Sequence, residues 1–195
     1  MSKRVFIVHG WDGDPEEGWF PWLKRELEVR EFQVTVPAMP ESSAPKIEQW
    51  VAHLSRVVGE SDEHTYLVGH SIGCQTILRY LETLPEEAKV GGVILVAGWM
   101  TLTPAATPTA TDRDLAKPWL ETPLDWKRVK ERGGHFAAIL SDNDPYVPME
   151  NAELFREKLG AEVVVEHAKG HFSGSDGVAE LPSALSTILK CAKAN

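Results

Sequence analysis

The stretch that most constrains this chain is Gly69-His70-Ser71-Ile72-Gly73, because of what stands on either side of it. Thr65-Tyr66-Leu67-Val68 reads as a strand leading in, and Gln75-Thr76-Ile77-Leu78-Arg79-Tyr80-Leu81 reads as a helix leading out. A Gly-x-Ser-x-Gly pattern at such a junction demands a very sharp turn, which strains the serine backbone and lifts its hydroxyl above the sheet edge. Space two residues either side of the serine is crowded, so glycine suits both places. The helix opening at Ile72 aims its first N–H groups at any oxyanion forming beside Ser71. The pattern itself is short, so its weight depends on partners elsewhere in the chain.

Around this turn, apolar runs alternate with amphipathic stretches. Strands are predicted at 4–9, 33–36, about 65–69, 91–97, 136–140 and 162–166, each short and mostly apolar. Helical spacing is predicted at 19–29, 47–58, from the elbow to 84, at 124–131, 150–159 and 178–192. Strand and helix in strict alternation predict an α/β fold: about six strands, mostly parallel, with helices on both faces. The segment 98–123 shows neither period and is rich in Thr and Pro. It reads as an irregular loop or small cap over a site, so residues 1–195 are expected to form a single domain without a large cap.

Composition narrows the function classes. A chain of 195 residues with 43% apolar and 25% charged residues can bury a core of its own. Its formal net charge of −9 argues against nucleic acid or an anionic membrane surface as a partner, since both need clustered Lys and Arg. Cys74 and Cys191, the two cysteines, have no ligand or disulfide spacing. The apolar run after Lys3-Arg4 is too short for a secretion leader, and no window reaches the length of a membrane span. The expectation is a reduced, cytoplasmic protein. Asp12, Asp14 and Asp142 do not have metal-site spacing, so no metal and no other cofactor is expected.

In such sheets ligands bind beyond the carboxyl ends of the strands. Four loops there carry suggestive residues: His9-Gly10-Trp11-Asp12-Gly13, the elbow, Ser141-Asp142-Asn143-Asp144-Pro145-Tyr146-Val147-Pro148, and Lys169-Gly170-His171-Phe172. A serine hydroxyl becomes a good nucleophile only when a base accepts its proton, and histidine titrates in the right range. A carboxylate must hold the other imidazole N–H and fix its tautomer. Ser71, Asp144 and His171 are the candidates. Asp142 competes with Asp144 but also suits a turn-closing role, and the residue before Pro145 is held extended. His167 competes with His171, which has the flanking glycine and the loop position. The backbone N–H groups of Trp11 and Ile72 are the candidate oxyanion donors. His70 and His9 read as packing or local hydrogen-bonding residues, Cys74 as packing, and Trp99 and Trp119 as candidate walls of an acyl pocket.

The order Ser…Asp…His, with the Gly-Trp loop, Gly18-Trp19-Phe20-Pro21-Trp22-Leu23, Gly-His-Ser-x-Gly, Ser-Asp-x-Asp-Pro-Tyr-Val-Pro and Gly-His-Phe, resembles the α/β-hydrolase superfamily along essentially the whole chain. More narrowly it is similar to the small serine hydrolases related to retinoblastoma-binding protein nine. That resemblance implies a reduced α/β-hydrolase without the first two strands, with Ser71, Asp144 and His171 as its triad. The animal branch has Pro-Gly followed by Asn and glycines where this chain has His9-Gly10-Trp11-Asp12. The expected activity is hydrolysis of a small-molecule acyl substrate, an ester, thioester or amide, through an acyl-enzyme. The alternative is a catalytically silent binding or regulatory protein on the same fold, with a protein partner that the sequence leaves unknown.

Overall fold

A computed structural model describes residues 2–194. Six strands form one wholly parallel sheet: β1 (Arg4–Val8), β2 (Gln33–Thr35), β3 (Thr65–His70), β4 (Gly92–Val96), β5 (His135–Ser141) and β6 (Glu162–Glu166). Their order across the sheet is β2-β1-β3-β4-β5-β6. The chain leaves β1 for one neighbour, β2, and returns on its other side as β3. The reversal point therefore lies where the carboxyl ends of β1 and β3 stand together, with Val8 opposite Gly69. Crevices in open parallel sheets form at such a reversal.

Alternation along each strand divides the core in two. Phe6, Val8, Leu67, Val93 and Leu95 point to one face, where they pack with Trp50 and Leu54 of α2 (Ile47–Val58) and Ile77 and Leu78 of α3 (Ile72–Thr83). Val5, Ile7, Tyr66, Val68, Ile94 and Val96 point to the other, against Phe20, Leu23 and Leu27 of α1 (Phe20–Glu28) and Ala184 and Ile188 of α7 (Pro182–Ala194). Each such side chain withdrawn from water stabilises the fold by about 1.5–3 kcal/mol. Both faces being covered explains why these strands read as continuous apolar runs. No helix among the described residues is long and apolar enough to cross a membrane.

Two expectations are corrected. The segment 98–123 is not irregular throughout: after a 3₁₀ turn at Pro104–Ala106 it forms α4 (Ala110–Glu121). Its apolar period is weak because only Ala116 and Trp119 are buried, and Pro118 inside the helix lacks an N–H. A local signal for its start was present in Thr109-Ala110-Thr111-Asp112, a reciprocal capping box. The last helix begins at Pro182, not at 178, since proline suits the first helical position. Residues 174–176, ahead of it, form a separate 3₁₀ turn closed by left-handed Gly177. The two remaining helices are α5 (Trp126–Arg132) and α6 (Glu150–Leu159).

Candidate active site

Ser71 joins β3 to α3 at φ 54° and ψ −121°, a conformation that costs a non-glycine residue on the order of 1–3 kcal/mol. The packing around the turn imposes it. A Cβ on Gly73 would stand 2.3 Å from the Val8 carbonyl oxygen, and one on Gly69 would stand 2.6 Å from the Cys74 nitrogen. Both approaches are to backbone, which cannot step aside, so glycine at each place lets α3 start hard against the ends of β1 and β3. The Ser71 N–H is tied to the Val96 carbonyl at 2.9 Å, which anchors the turn to β4.

The loop after β5 and the loop after β6 bring a carboxylate and an imidazole to this serine. Ser71 Oγ lies 2.9 Å from His171 Nε2. His171 Nδ1 lies 2.8 Å from Asp144 Oδ2, with the Asp144 side chain only 2% exposed. Asp144 Oδ1 accepts from the Tyr146 and Val147 N–H groups at 2.8 and 3.1 Å. With its carboxylate so placed, Nδ1 carries the imidazole proton and Nε2 accepts from the serine hydroxyl. Asp142, the competing acid, accepts instead from His167 Nδ1 at 2.6 Å and from the Ala168 N–H at 2.9 Å. His167 is 89% exposed in its side chain, so this second pair belongs to the surface.

Several groups that sequence reasoning passed over hold the imidazole loop. Asn143 Oδ1 accepts from the Gly170 N–H at 2.8 Å, Ser141 Oγ accepts from the Lys169 N–H at 2.9 Å, and Trp19 Nε1 donates to the Phe172 carbonyl at 3.1 Å. Asp176 Oδ2 accepts from the His171 and Ser173 N–H groups, at 2.9 and 3.0 Å. Their only advance signal was polar residues in loops at the right sheet edge. His70 completes the set by donating from Nε2 to the His171 carbonyl at 2.7 Å. Burial pushes its pKa down to about 3, and the neighbouring His171 adds to the effect, so the ring is neutral. His9 is neutral for the same first reason: its Nε2 accepts from the Met39 N–H at 2.9 Å while Nδ1 donates to the Gly10 carbonyl. Burial likewise holds the Cys74 thiol in its protonated form, well above the usual thiol range.

Ser71 and His171 open onto a cavity of about 380 Å³, with Asp144 behind the imidazole. Its lining includes Gly10 and Trp11 of the loop after β1, Tyr146 of the loop after β5, and Trp99, Leu102, Ala106 and Ala116 of the 98–123 segment. Trp119 is not among the lining residues. It is wholly buried, gives its Nε1–H to the Pro45 carbonyl, and packs edge-on against Trp50, which corrects its expected place on the pocket wall. Trp11 and Ile72 both line the cavity that holds Ser71, and their backbone N–H groups are engaged by no protein acceptor among the described residues. No group of three or more His, Cys, Asp or Glu side chains that could hold a metal occurs among the described residues.

A family model described as serine hydrolase matches residues 5–190. Among curated proteins, YdeN of Bacillus subtilis (strain 168) is 32% identical over 182 residues, 93% of this chain and 92% of that one. The serine hydrolase RBBP9 of Rattus norvegicus is 24% identical over 177 residues, 90% and 89% of the two chains. The crystal structure of the B. subtilis YdeN gene product superposes with a TM-score of 0.90 at 31% identity, over 98% of this chain and all of that one. Est1E from Butyrivibrio proteoclasticus shares the fold at a TM-score of 0.73 and 15% identity, over 98% of this chain and 89% of its own.

Proposed function

This chain belongs to the serine hydrolase family, and from that membership we propose that it cleaves a small carboxylic ester or thioester through an acyl-enzyme on Ser71. The observation that carries the reading is the continuous chain from Ser71 Oγ to His171 to Asp144, opening onto a cavity large enough for a small acyl substrate. Ser71 Oγ attacks the carbonyl carbon as His171 Nε2 takes its proton, and Asp144 holds Nδ1–H in line and stabilises the imidazolium. The Trp11 and Ile72 N–H groups receive the oxyanion, Ile72 with the added field of the α3 N-terminus. His171 then returns the proton to the leaving group. Water enters, gives its proton to Nε2, and releases the acid from Ser71 by the same steps in reverse. Every step uses groups of the chain and water. Free, buried Cys74 and Cys191 favour the reducing cytoplasm as its place of work.

The test is hydrolysis of p-nitrophenyl esters from acetate to octanoate by the wild type, Ser71→Ala, Asp144→Ala and Asp142→Ala. Loss of the nucleophile is expected to lower kcat on the order of 10⁶-fold, and loss of Asp144 on the order of 10⁴-fold. Asp142→Ala should stay within about threefold of wild type, since its carboxylate serves only the exposed His167 and a loop N–H. Wild type no faster than Ser71→Ala, together with resistance to a fluorophosphonate, would overturn the reading in favour of a silent binding protein.

A further inference from the structure

We propose that the substrate carries an uncharged oxygen acceptor a few atoms from its scissile carbonyl, and that the Trp99 indole N–H selects for it; this rests on the acyl-enzyme reading above. Four tryptophans are buried among the described residues: Trp19, Trp50, Trp99 and Trp119. A buried indole N–H normally finds an acceptor, because a donor left unmet forfeits the hydrogen bond it had to water. Three of the four do so. Trp19 donates to the Phe172 carbonyl, Trp50 to the Pro40 carbonyl and Trp119 to the Pro45 carbonyl, at 3.1, 2.8 and 3.1 Å. Trp99 is 3% exposed, yet its Nε1 meets no protein acceptor among the described residues. It is also the one of the four that lines the cavity. Nor is that nitrogen sealed away, as the neighbouring Gln75 Oε1 is, so the cavity is where an acceptor reaches it.

The indole is also fixed in advance. Gln75 Nε2 of α3 donates to the Trp99 carbonyl at 2.9 Å, and Asn151 Oδ1 of α6 accepts from the next N–H, that of Met100, at 2.7 Å. Both of these side chains are wholly buried. The backbone at the ring is thus pinned to two helices, and a donor so placed needs little ordering when a ligand arrives. The wall around it is apolar, with Ile72, Leu102, Ala105, Ala106 and Ala116. An oxygen entering there regains a hydrogen bond at the indole, whereas a methylene in its place leaves the indole unmet. No Lys or Arg lines the cavity to offset a carboxylate or phosphate, so the acceptor is a neutral ether, hydroxyl or carbonyl oxygen. The Tyr146 hydroxyl also lacks a protein partner, but that residue is 39% exposed and water serves it.

Moving one ether oxygen along the substrate locates the acceptor. p-Nitrophenyl hexanoate is compared with analogues carrying oxygen in place of carbon 3, 4 or 5 of the acyl chain. On the leaving-group side, S-pentyl thiobutyrate is compared with the S-(2-ethoxyethyl) and S-(3-methoxypropyl) thioesters. Each kcat/KM is divided by the rate of the same compound with hydroxide, which removes inductive effects. In one series a single oxygen position is expected to stand about tenfold above its positional isomers, the worth of one hydrogen bond to an otherwise unmet donor. Trp99→Phe keeps a ring without the N–H and should bring that preference below about twofold. Trp99→Met serves in its place should the first variant fail to label with a fluorophosphonate, a reaction that needs the triad and not the indole. A merely structural loss would slow all isomers alike and leave the preference standing. No preferred position in the wild type, or a preference that survives in the labelled Trp99 variant, overturns the inference. Failure of the wild type on every ester, with no fluorophosphonate labelling, instead overturns the acyl-enzyme reading beneath it.

Discussion

Glycine at position 73 shows how one missing side chain holds a site in place. A Cβ there would stand 2.3 and 2.7 Å from the carbonyl oxygens of Val8 and His9, so Gly73→Ala must push α3 away from the sheet by more than the neighbouring backbone can absorb. The Ile72 N–H moves with that helix. The expected outcome is a loss of at least a hundredfold in kcat on p-nitrophenyl butyrate, with a lowered urea midpoint from the same displacement. By contrast, Cys74 one residue on is sealed in the core and held protonated by burial. Alkylating reagents are expected to leave it untouched in the native state.

At the scale of elements, α4 is the piece that shapes the cavity without touching the chemistry. It is fastened at its far end, where Arg79 donates to the Trp119 and Thr122 carbonyls at 3.0 and 2.9 Å and Trp119 is locked against Trp50. Its near end is held by the Thr109–Asp112 box and by Arg113, which donates to the Thr107 and Pro108 carbonyls at 3.3 and 3.1 Å, and that end carries the cavity-lining residues Pro108 and Asp112. Thr109→Ala removes one half of the box, worth about 1 kcal/mol. Amide exchange at Asp112 and Arg113 should quicken, and KM for the longer acyl chains should rise more than kcat falls. A uniform loss of kcat across all chain lengths would show that the helix acts on the serine and not on the substrate.

For the whole molecule, two buried histidines set the acid side of its stability. His70 and His9 each have a folded pKa below the ordinary value near 6.5, chiefly through burial. The unfolded chain therefore binds protons that the folded chain refuses. The stability these rings contribute is complete above pH 6.5 and is lost as pH falls below it, for His70 down to about 3, at up to about 1.4 kcal/mol per pH unit for each proton excluded. Urea midpoints taken between pH 7 and pH 4.5 should fall steadily, before the carboxylates begin to titrate. His70→Gln should flatten that slope; an unchanged slope would place the acid sensitivity elsewhere.

Short-range pattern was enough to determine the six strands, the parallel sheet and the run of helices beside them, since strands covered on both faces must be apolar at every position. It also favoured Ser71, Asp144 and His171 by residue type, order and loop position, and the fold brings His171 within hydrogen-bond distance of both Ser71 and Asp144. What sequence left with competitors was the acid and the base, Asp142 beside Asp144 and His167 beside His171. Asp142 and Asp144 are two residues apart in one loop, and only the turn closed by the Tyr146 and Val147 N–H groups sends one carboxylate inward and leaves the other at the surface. The helix at 110–121 escaped notice because it owes its place to contacts with Pro45, Trp50 and Arg79, all distant in the chain. The unpartnered indole N–H at the cavity was equally invisible, for whether Trp99 finds an acceptor depends on loops that meet only when the sheet has formed. Local propensity determines elements, but the company a polar group keeps is decided by tertiary structure alone.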